Sequence, residues 1–353
     1  MACRPQIVEE KIGTSLMYSV MSNISPRIVY MGTPEFAVAP LAKLIENNCN
    51  IVGVVTVPDK PSGRGLKLNQ SAVKQYAQEH LVPKGVKLMQ PVSLKDESFL
   101  NDLKELQADM FIVVAFRMLP EVVWAMPKLG TFNLHGSLLP LYRGAAPINW
   151  AIIKGEKKSG VTTFLIDKEI DTGNILMQRE CPIGERDTVG TLYGKLMEIG
   201  AELVVETVQG LVAGKLVAKP QEGRITGAPK LNKELGRIKW DMQDSDQPCV
   251  PCAILIDQLV RGLSPYPAAV AAMTDGQKNY EFKIFECTPV CCNSNTSANE
   301  AGTIKSDGKN YIHVVCADGS ILALEEIQMA GKKRMRTKDF LLGFRNIESF
   351  RFF

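Results

Sequence analysis

The stretch of residues 28–46, IVYMGTPEFAVAPLAKLIE, joins a short apolar run to a segment with helical spacing. The run 28–31 has the length of a buried strand, and 35–46 repeats apolar residues at the period of an α-helix. The same order recurs along the chain. Strands are predicted at 28–31, 51–57, 110–116 and 131–134, and helices at 35–46, 71–79, 98–107, 146–154 and 188–211. Strands that alternate with helices predict an α/β fold with a doubly wound parallel sheet.

The turn between the first strand and the first helix excludes one common class of cofactor. It reads Met31-Gly32-Thr33-Pro34-Glu35-Phe36, at the place where a dinucleotide-binding fold has the pattern G-x-G-x-x-G. Only one glycine is present, and Pro34 removes an amide donor that a pyrophosphate would need. We therefore expect the sheet to bind a ligand other than a nicotinamide or flavin dinucleotide.

Changes in composition and in apolar pattern divide the chain into four parts. Residues 1–26 show no sustained apolar period and are predicted to be a disordered extension, whereas 27–214 form the predicted α/β domain. Residues 215–236 are a basic, Pro- and Gly-containing linker without an apolar stripe. The last part, 237–353, has one predicted helix at 253–261 and short alternating segments near 268–273, 280–285, 301–305, 311–316 and 321–327. Five short strands with Gly, Asp and Asn turns predict a small β-barrel.

Composition favours a folded protein without a membrane segment. Of 353 residues, 45% are hydrophobic and 22% are charged, which is ordinary for a globular protein. The longest uncharged apolar stretch is 110–116, far shorter than the ~18 residues that span a bilayer. Because the first residues include several charges and no apolar signal core, we expect a cytoplasmic location and reduced thiols.

The nine cysteines include one spacing that is typical of zinc ligands. Cys249 and Cys252 form a C-x-x-C, and Cys287, Cys291 and Cys292 follow later in the chain. The second group lacks the two-residue spacing, and no histidine is close in sequence. We therefore expect no metal site, and incidental thiols.

Basic residues are concentrated in three segments, although the net charge is only +3. Residues 58–69 contain Lys60, Arg64 and Lys67 against one acidic residue. Residues 219–239 have six basic and two acidic residues, and 331–353 have seven and two. A solvated loop is the simplest interpretation of any one segment. Three together indicate a polyanionic partner, for which nucleic acid is the natural candidate.

Asn133 and His135 form the most informative pair in the sequence. They lie at the end of the predicted strand 131–134, where open α/β sheets bind ligands. Residues two apart on an extended segment project to the same face, so an amide and an imidazole can point at one atom. Such a pair suits the stabilisation of an oxyanion.

A loop further on, residues 167–173, supplies carboxylates that could serve the imidazole. It reads DKEIDTG and lies between two apolar segments. A carboxylate beside His135 would orient the ring and favour its protonated form. Spacing alone does not choose among Asp167, Glu169 and Asp171.

Several motifs together resemble those of the methionyl-tRNA formyltransferase family. They are VYMGTPEFA at 29–37, PDKPSGRG at 58–65, FNLHGSLLP at 132–140, YRGAAPI at 142–148 and IDTG at 170–173. The likeness runs from Arg27 to near the end of the chain and includes KLNKE at 230–234 and GKKRM at 331–335. The Asn-x-His, Ser-Leu-Leu-Pro and Asp-Thr-Gly motifs alone mark only the wider group of enzymes that use 10-formyltetrahydrofolate.

The resemblance implies a fold, a reaction and a set of site residues. It implies a Rossmann-like catalytic domain, an OB-like tRNA-binding domain, and formyl transfer from 10-formyltetrahydrofolate to the α-amine of initiator methionyl-tRNA. Asn133, His135 and Asp171 match the catalytic motif. The residues implied to bind folate are Ser137, Leu138, Leu139 and Pro140, and those expected to bind tRNA are Lys60, Arg64, Lys67, Lys230, Lys233, Lys332, Lys333 and Arg334. No metal is needed for this reaction, and we expect a monomer.

Two other functions fit parts of the sequence. A sugar-nucleotide formyltransferase would share Asn133, His135 and Asp171 but would not need three basic segments. A non-catalytic RNA-binding module would need the barrel and the basic residues but has no reason to keep the Asn-x-His pair. Turnover of the folate donor and dependence on tRNA distinguish the three.

Overall fold

The computed structural model describes residues 25–62, 67–290 and 300–353, and the predicted extension 1–26 lies almost entirely outside them. The chain forms two compact units, neither of which is continuous in sequence. The N-terminal unit comprises the chain up to residue 143 together with 160–181 and 195–226, and the C-terminal unit comprises 144–159, 182–194 and 227–353. The sequence analysis assigned 144–159 and 182–194 to the α/β domain, and instead they group with the barrel. Ile153 shows the reason, because it is buried in the same apolar core as Leu259.

The described strands and helices are as follows. The strands are β1 Arg27–Gly32, β2 Asn50–Val55, β3 Lys60–Ser62, β4 Lys67–Asn69, β5 Lys87–Met89, β6 Met110–Val114, β7 Thr131–His135, β8 Arg143–Gly144, β9 Lys158–Leu165, β10 Ile175–Pro182, β11 Gly227–Ala228, β12 Ala269–Thr274, β13 Asn279–Val290, β14 Ile304–Ser306, β15 Ile312–Val315, β16 Ile321–Met329, β17 Met335–Arg336 and β18 Arg351–Phe352. The α-helices are α1 Val38–Glu46, α2 Ala72–His80, α3 Glu97–Glu105, α4 Glu121–Trp124, α5 Pro147–Ile153, α6 Val189–Val212, α7 Cys252–Leu263 and α8 Thr337–Gly343.

The sheet of the N-terminal unit has the strand order β10-β9-β7-β6-β1-β2-β5. The run from β5 to β7 is parallel, as predicted, and β9 pairs with β7 in the antiparallel sense. The mixed edge was not predicted, because the apolar pattern of a strand does not encode its direction. Parallel pairing brings the carboxyl ends of β6 and β7 to one edge, which is where Asn133 and His135 lie.

Apolar burial explains why these runs form central strands. All five residues of β6 are buried, as a strand covered on both faces requires. Val29 and Phe111, on adjacent strands, share one apolar core with Phe99 and Leu103 of α3. The helical period of α3 therefore matches the face that it buries.

The C-terminal unit contains the predicted barrel. Its antiparallel sheet has the order β14-β15-β16-β13-β12-β18, with β17 paired to β16. The two ends of that order meet, because Thr303 bridges Arg351 and the Phe352 amide donates to Gly302 O at 2.9 Å. The sheet is thus a nearly closed barrel, and the predicted fold class is confirmed.

Among the described residues, none of the helices is both long enough and apolar enough to cross a bilayer.

A close backbone approach holds the loop between β9 and β10. Gly173 lies so near the end of β9 that an added Cβ would overlap the carbonyl oxygen of Leu165. Two residues earlier, Asp171 has φ +57°, a left-handed conformation that is unusual for a residue with a side chain. The loop therefore adopts one defined conformation, and only glycine fits at position 173.

We predict that Gly173→Ala destabilises the fold by at least ~1–3 kcal/mol, since backbone must move to admit the methyl group. Gly194→Ala is the matched control: it lies in α6 with open space around the new Cβ, and alanine gains up to ~1 kcal/mol over glycine in a helix. Urea unfolding of both variants measures the difference. Equal stability of the two would contradict the close approach.

Candidate active site

The strand end predicted to carry the chemistry holds its two polar side chains in a buried setting. In β7, His135 is 6% exposed and Asn133 is half-buried. The Oδ1 atom of Asn133 is buried and has no hydrogen-bond partner among the described residues. Since buried polar atoms normally have a partner, the Asn133 amide is placed to engage a ligand.

The imidazole of His135 is contacted from two sides. Its Nε2 lies 2.9 Å from the carbonyl oxygen of Tyr142, so Nε2–H donates to that oxygen. Its Nδ1 lies 3.7 Å from Asp171 Oδ2, a charge contact that is too long for a good hydrogen bond. The ring of Phe164 packs edge-on at a centroid distance of 6.5 Å. Nδ1 is therefore the nitrogen directed to the carboxylate and available to a reacting group.

Among the three carboxylates of the 167–173 loop, the structure brings Asp171 to the imidazole. Asp167 Oδ1 instead accepts hydrogen bonds from the Glu169 amide at 3.1 Å and from Thr172 Oγ1 at 2.7 Å. Those bonds form the turn itself. The Asp167 carboxylate shapes the loop, and the Asp171 side chain, 12% exposed, faces His135.

The four predicted folate-binding residues differ in how far they are exposed. Ser137 is fully buried and donates to Leu141 O, and Leu139 is 3% exposed, whereas Leu138 and Pro140 are half-buried. The Ser137 and Leu139 side chains thus fix the loop, and its accessible side-chain surface comes from the other two.

A buried hydroxyl holds that loop against β9. Thr162 Oγ1 donates to Ser137 O at 2.7 Å and accepts from the Leu139 amide at 3.1 Å. Gln178 Nε2 reaches both Thr162 Oγ1 and Leu139 O at 2.9 Å. Sequence reasoning missed Thr162 and Gln178, because neither lies in a recognisable motif and their contacts join strands distant in the chain.

Arg117 is a further polar residue that the sequence analysis did not single out. It lies three residues after the end of β6, and its guanidinium donates to the carbonyl oxygens of Val92, at 2.8 Å, and Pro91. Its Nε is buried without a hydrogen-bond partner in the described part of the chain, and burial lowers the pKa of the guanidinium. The signal in the sequence that could have indicated Arg117 is its place directly after the predicted strand 110–116.

The residues predicted to bind tRNA fall into three groups. Arg64 lies outside the described residues, and of Lys67 only the backbone, in β4, is described. Lys60, Lys230, Lys233, Lys332 and Lys333 are exposed. Arg334 is exposed as well, but it pairs with Glu326 at 2.6 Å and lies 4.1 Å from the centroid of the Phe285 ring.

The loop that carries Lys60 is anchored at its base. Asp59 accepts hydrogen bonds from Lys74 Nζ at 2.6 Å and from Gln90 Nε2 at 2.8 Å. These bonds, that from Lys74 first, lower the pKa of the Asp59 carboxyl, so it stays ionised and paired at neutral pH. The start of the basic segment is therefore held in place.

The cysteines group differently from the zinc pattern considered in the sequence. Cys252 lies with Cys316 and Asp318, and the Sγ and carboxylate oxygen atoms of the three are within 4.8 Å of one another. Cys287 instead packs against Asp257. Cys291 and Cys292 lie outside the described residues. Asp318 accepts hydrogen bonds from the Cys252 amide and from Ser320, which makes it a cap for α7. The hydrogen bond between the Cys252 and Cys316 side chains raises the pKa of the Cys252 thiol, which favours its neutral form. The Asp318 carboxylate therefore has a structural contact at the start of α7, and the expected absence of a metal site stays a prediction.

The arrangement at the end of β7 can stabilise negative charge and move a proton. An amide and an imidazole Nδ1 are available on one strand end, and a carboxylate lies beside that nitrogen. Donors fixed in a water-poor site are the arrangement that stabilises a developing oxyanion. Transfer of an acyl group, which develops such an oxyanion, is chemistry that this arrangement suits.

Comparison with known protein families gives matches in both parts of the chain. The formyl transferase family matches residues 26–208, and the C-terminal domain of formyl transferases matches residues 230–345. Among solved structures, WlaRD, a sugar 3N-formyl transferase studied in the presence of dTDP and 5-N-formyl-THF, has a TM-score of 0.59 and 20% identity, over 88% of this chain and all of that one. At that identity the likeness concerns the fold.

Curated relatives are much more similar in sequence. A methionyl-tRNA formyltransferase of Bacteroides fragilis is 48% identical over 331 residues, which cover 92% of this chain and 97% of the relative. One of Parabacteroides distasonis is 50% identical over 332 residues with the same coverage. Identity at this level over nearly the full length of both chains shows that this chain is a formyl-transferring enzyme and belongs to the methionyl-tRNA formyltransferase family.

Proposed function

We propose that this chain transfers a formyl group from 10-formyltetrahydrofolate to the α-amine of methionyl-tRNA, with Asn133, His135 and Asp171 as the catalytic residues. The observation that carries the proposal is the buried imidazole of His135, with Nε2 on Tyr142 O and Nδ1 facing Asp171. Both nitrogens then have assigned neighbours, and the ring has one orientation. A histidine that served only packing would not need a carboxylate at its second nitrogen.

The reaction requires attack by a neutral amine on the formyl carbon. A bond forms between the α-nitrogen and that carbon, and negative charge develops on the formyl oxygen. Asn133 and His135 Nδ1–H donate to that oxygen. When the charge collapses, the bond from the formyl carbon to N10 of the folate breaks, and tetrahydrofolate leaves.

Asp171 handles the proton and the charge balance in this scheme. The attacking amine loses one proton, which Asp171 accepts directly or through one water and which ends on N10 of the leaving folate. Its carboxylate lies 3.7 Å from Nδ1, so it also balances the positive charge of a protonated imidazole. Asn133 Oδ1, which lacks a partner among the described residues, accepts a hydrogen bond from the amine. Every polar atom of the trio then has a role.

The donor and the tRNA use different surfaces in this proposal. Main-chain atoms of 137–140 contact the polar edge of the pterin, and the half-buried Leu138 and Pro140 contact its planar ring face. The exposed lysines supply salt-dependent contacts to phosphates. The loop around Arg64, whose base Asp59 anchors, binds the acceptor end of the tRNA.

We predict that His135→Ala and Asn133→Ala each lower kcat for methionyl-tRNA formylation by ~10²–10³, the usual cost of removing one oxyanion donor. His80→Ala is the matched control, because His80 lies in α2 with 42% of its side chain accessible. The measurement is formyl transfer from 10-formyltetrahydrofolate at matched protein and salt, run in parallel with a sugar-nucleotide amine as acceptor. Transfer to the sugar alone, or an unaffected His135→Ala variant, would overturn the proposal.

For Arg64→Ala we expect a higher KM for methionyl-tRNA with unchanged folate binding, since the lost contact is to a phosphate. The slope of log KM against log salt should fall by about 1, as for the loss of one phosphate contact. Lys104→Ala, at an exposed position of α3, serves as the control. Equal losses in tRNA and folate binding would refute the separation of the two surfaces.

A further inference from the structure

A single glutamine connects the two segments that contact His135. Gln221 Nε2 donates to Asp171 O at 2.9 Å and to Gly173 O at 2.8 Å. Its Oε1 accepts from Arg143 Nε at 3.1 Å and from the same guanidinium at 2.7 Å. Both amide hydrogens and both oxygen lone pairs of Gln221 are therefore used.

The direction of the Gln221 amide is settled by its neighbours. A flipped amide would place its oxygen against two carbonyl oxygens and its NH₂ group against a guanidinium, which donates only. The observed orientation is thus the one that these partners permit. A residue with other donors and acceptors does not satisfy all four contacts.

The backbone around Gln221 is fixed to the N-terminal unit. Two residues earlier, Lys219 forms a backbone bridge with Ile175 at the start of β10. Further on, Thr226 Oγ1 accepts from the Tyr142 amide at 2.8 Å, and Thr226 O accepts from the Arg143 amide at 2.9 Å. Although the sequence predicted a linker at 215–236, residues 219–226 are docked beside the site.

These contacts form a closed ring of residues that includes the His135 imidazole. Starting from His135, the ring runs through Tyr142 O, the Arg143 side chain, Gln221 and the Asp171 backbone, and it returns through the Asp171 carboxylate. The left-handed backbone of Asp171 costs energy unless its surroundings hold it there. The two hydrogen bonds from Gln221 supply that restraint.

Resting on the proposed function, we propose that Gln221 is a positioning residue that acts through Asp171. It sets the distance between the Asp171 carboxylate and His135 Nδ1 by holding the carbonyl oxygens of Asp171 and Gly173. It touches neither the reacting atoms nor the substrates in this role. Its removal therefore affects the chemical step and leaves donor binding intact.

The test is a double-mutant cycle in the full-length chain, with kcat and KM measured for 10-formyltetrahydrofolate and methionyl-tRNA. Gln221→Leu should lower kcat by ~10- to 100-fold with unchanged KM for the folate, since misplacement by about 1 Å costs up to ~10²-fold. In an Asp171→Ala background the same substitution should change kcat by less than ~2-fold, because residues that act as one unit are not additive. Gln209→Leu, on an exposed position of α6, is the matched control.

A second variant separates positioning from folding. Gln221→Glu keeps the acceptor for Arg143 but replaces both donors to the loop with an oxygen that the carbonyl oxygens of Asp171 and Gly173 repel. The pair with Arg143 still holds the side chain, so urea unfolding should report a folded variant, and the displaced loop should lower kcat. Two results would overturn the inference and leave the proposed function in place. One is a kcat of Gln221→Glu equal to that of the parent. The other is a double variant whose loss of kcat is the product of the losses of Gln221→Leu and Asp171→Ala. A parent chain that transfers no formyl group would instead overturn the proposed function, and this inference with it.

Discussion

The site depends on the two contacts that hold the buried His135 imidazole, one with Tyr142 O and one with Asp171. A buried ring with two polar nitrogens is costly unless each nitrogen has a suitable neighbour. One neighbour comes from the loop that follows β7, and the other from the loop that follows β9. The two loops must therefore keep fixed positions relative to the end of β7, and contacts from the surrounding residues hold them there.

The loops keep those positions through unusual backbone conformations. Tyr142 and Asp171 have φ values of +59° and +57°, a region that residues with side chains rarely occupy. Each is held by neighbours that cannot easily move: Tyr142 by Thr226, and Asp171 by the close approach of Gly173 to Leu165. Strain of this kind is tolerated where the surroundings determine the geometry, and active sites are its usual location.

The charged surface is organised differently from the candidate site at the end of β7. Lys332 and Lys333 are exposed, as suits long-range attraction to a polyanion, whereas Arg334 is paired with Glu326 and packed on Phe285. Arginine is well suited to the second task because its planar guanidinium combines ion pairing with packing on an aromatic face. A basic cluster in sequence therefore contains both structural and accessible charges, and the contacts of each residue decide which it is.

The sequence by itself determined the alternation of the strands β1, β2, β6 and β7 with helices, the strand end at which Asn133 and His135 lie, and the barrel that follows. These are local or periodic properties: an apolar run of strand length, a helical repeat, and a pair of residues two apart on one face. The motifs also carried the likeness to formyltransferases. The choice of Asp171 over Asp167 and Glu169 rested at that stage on the resemblance alone.

Only the tertiary structure decided what depends on contacts between distant parts of the chain. These features are the antiparallel pairing of β9 with β7 and the placement of 144–159 with the barrel. They also include the support that Thr162 and Gln178 give to the 137–140 loop, and the docking of Gln221 in a segment predicted to be a linker. Gln221 and Asp171 are 50 residues apart. A hydrogen bond across that separation leaves no periodic trace in the sequence, because it depends on how the fold closes and not on the local pattern around either residue.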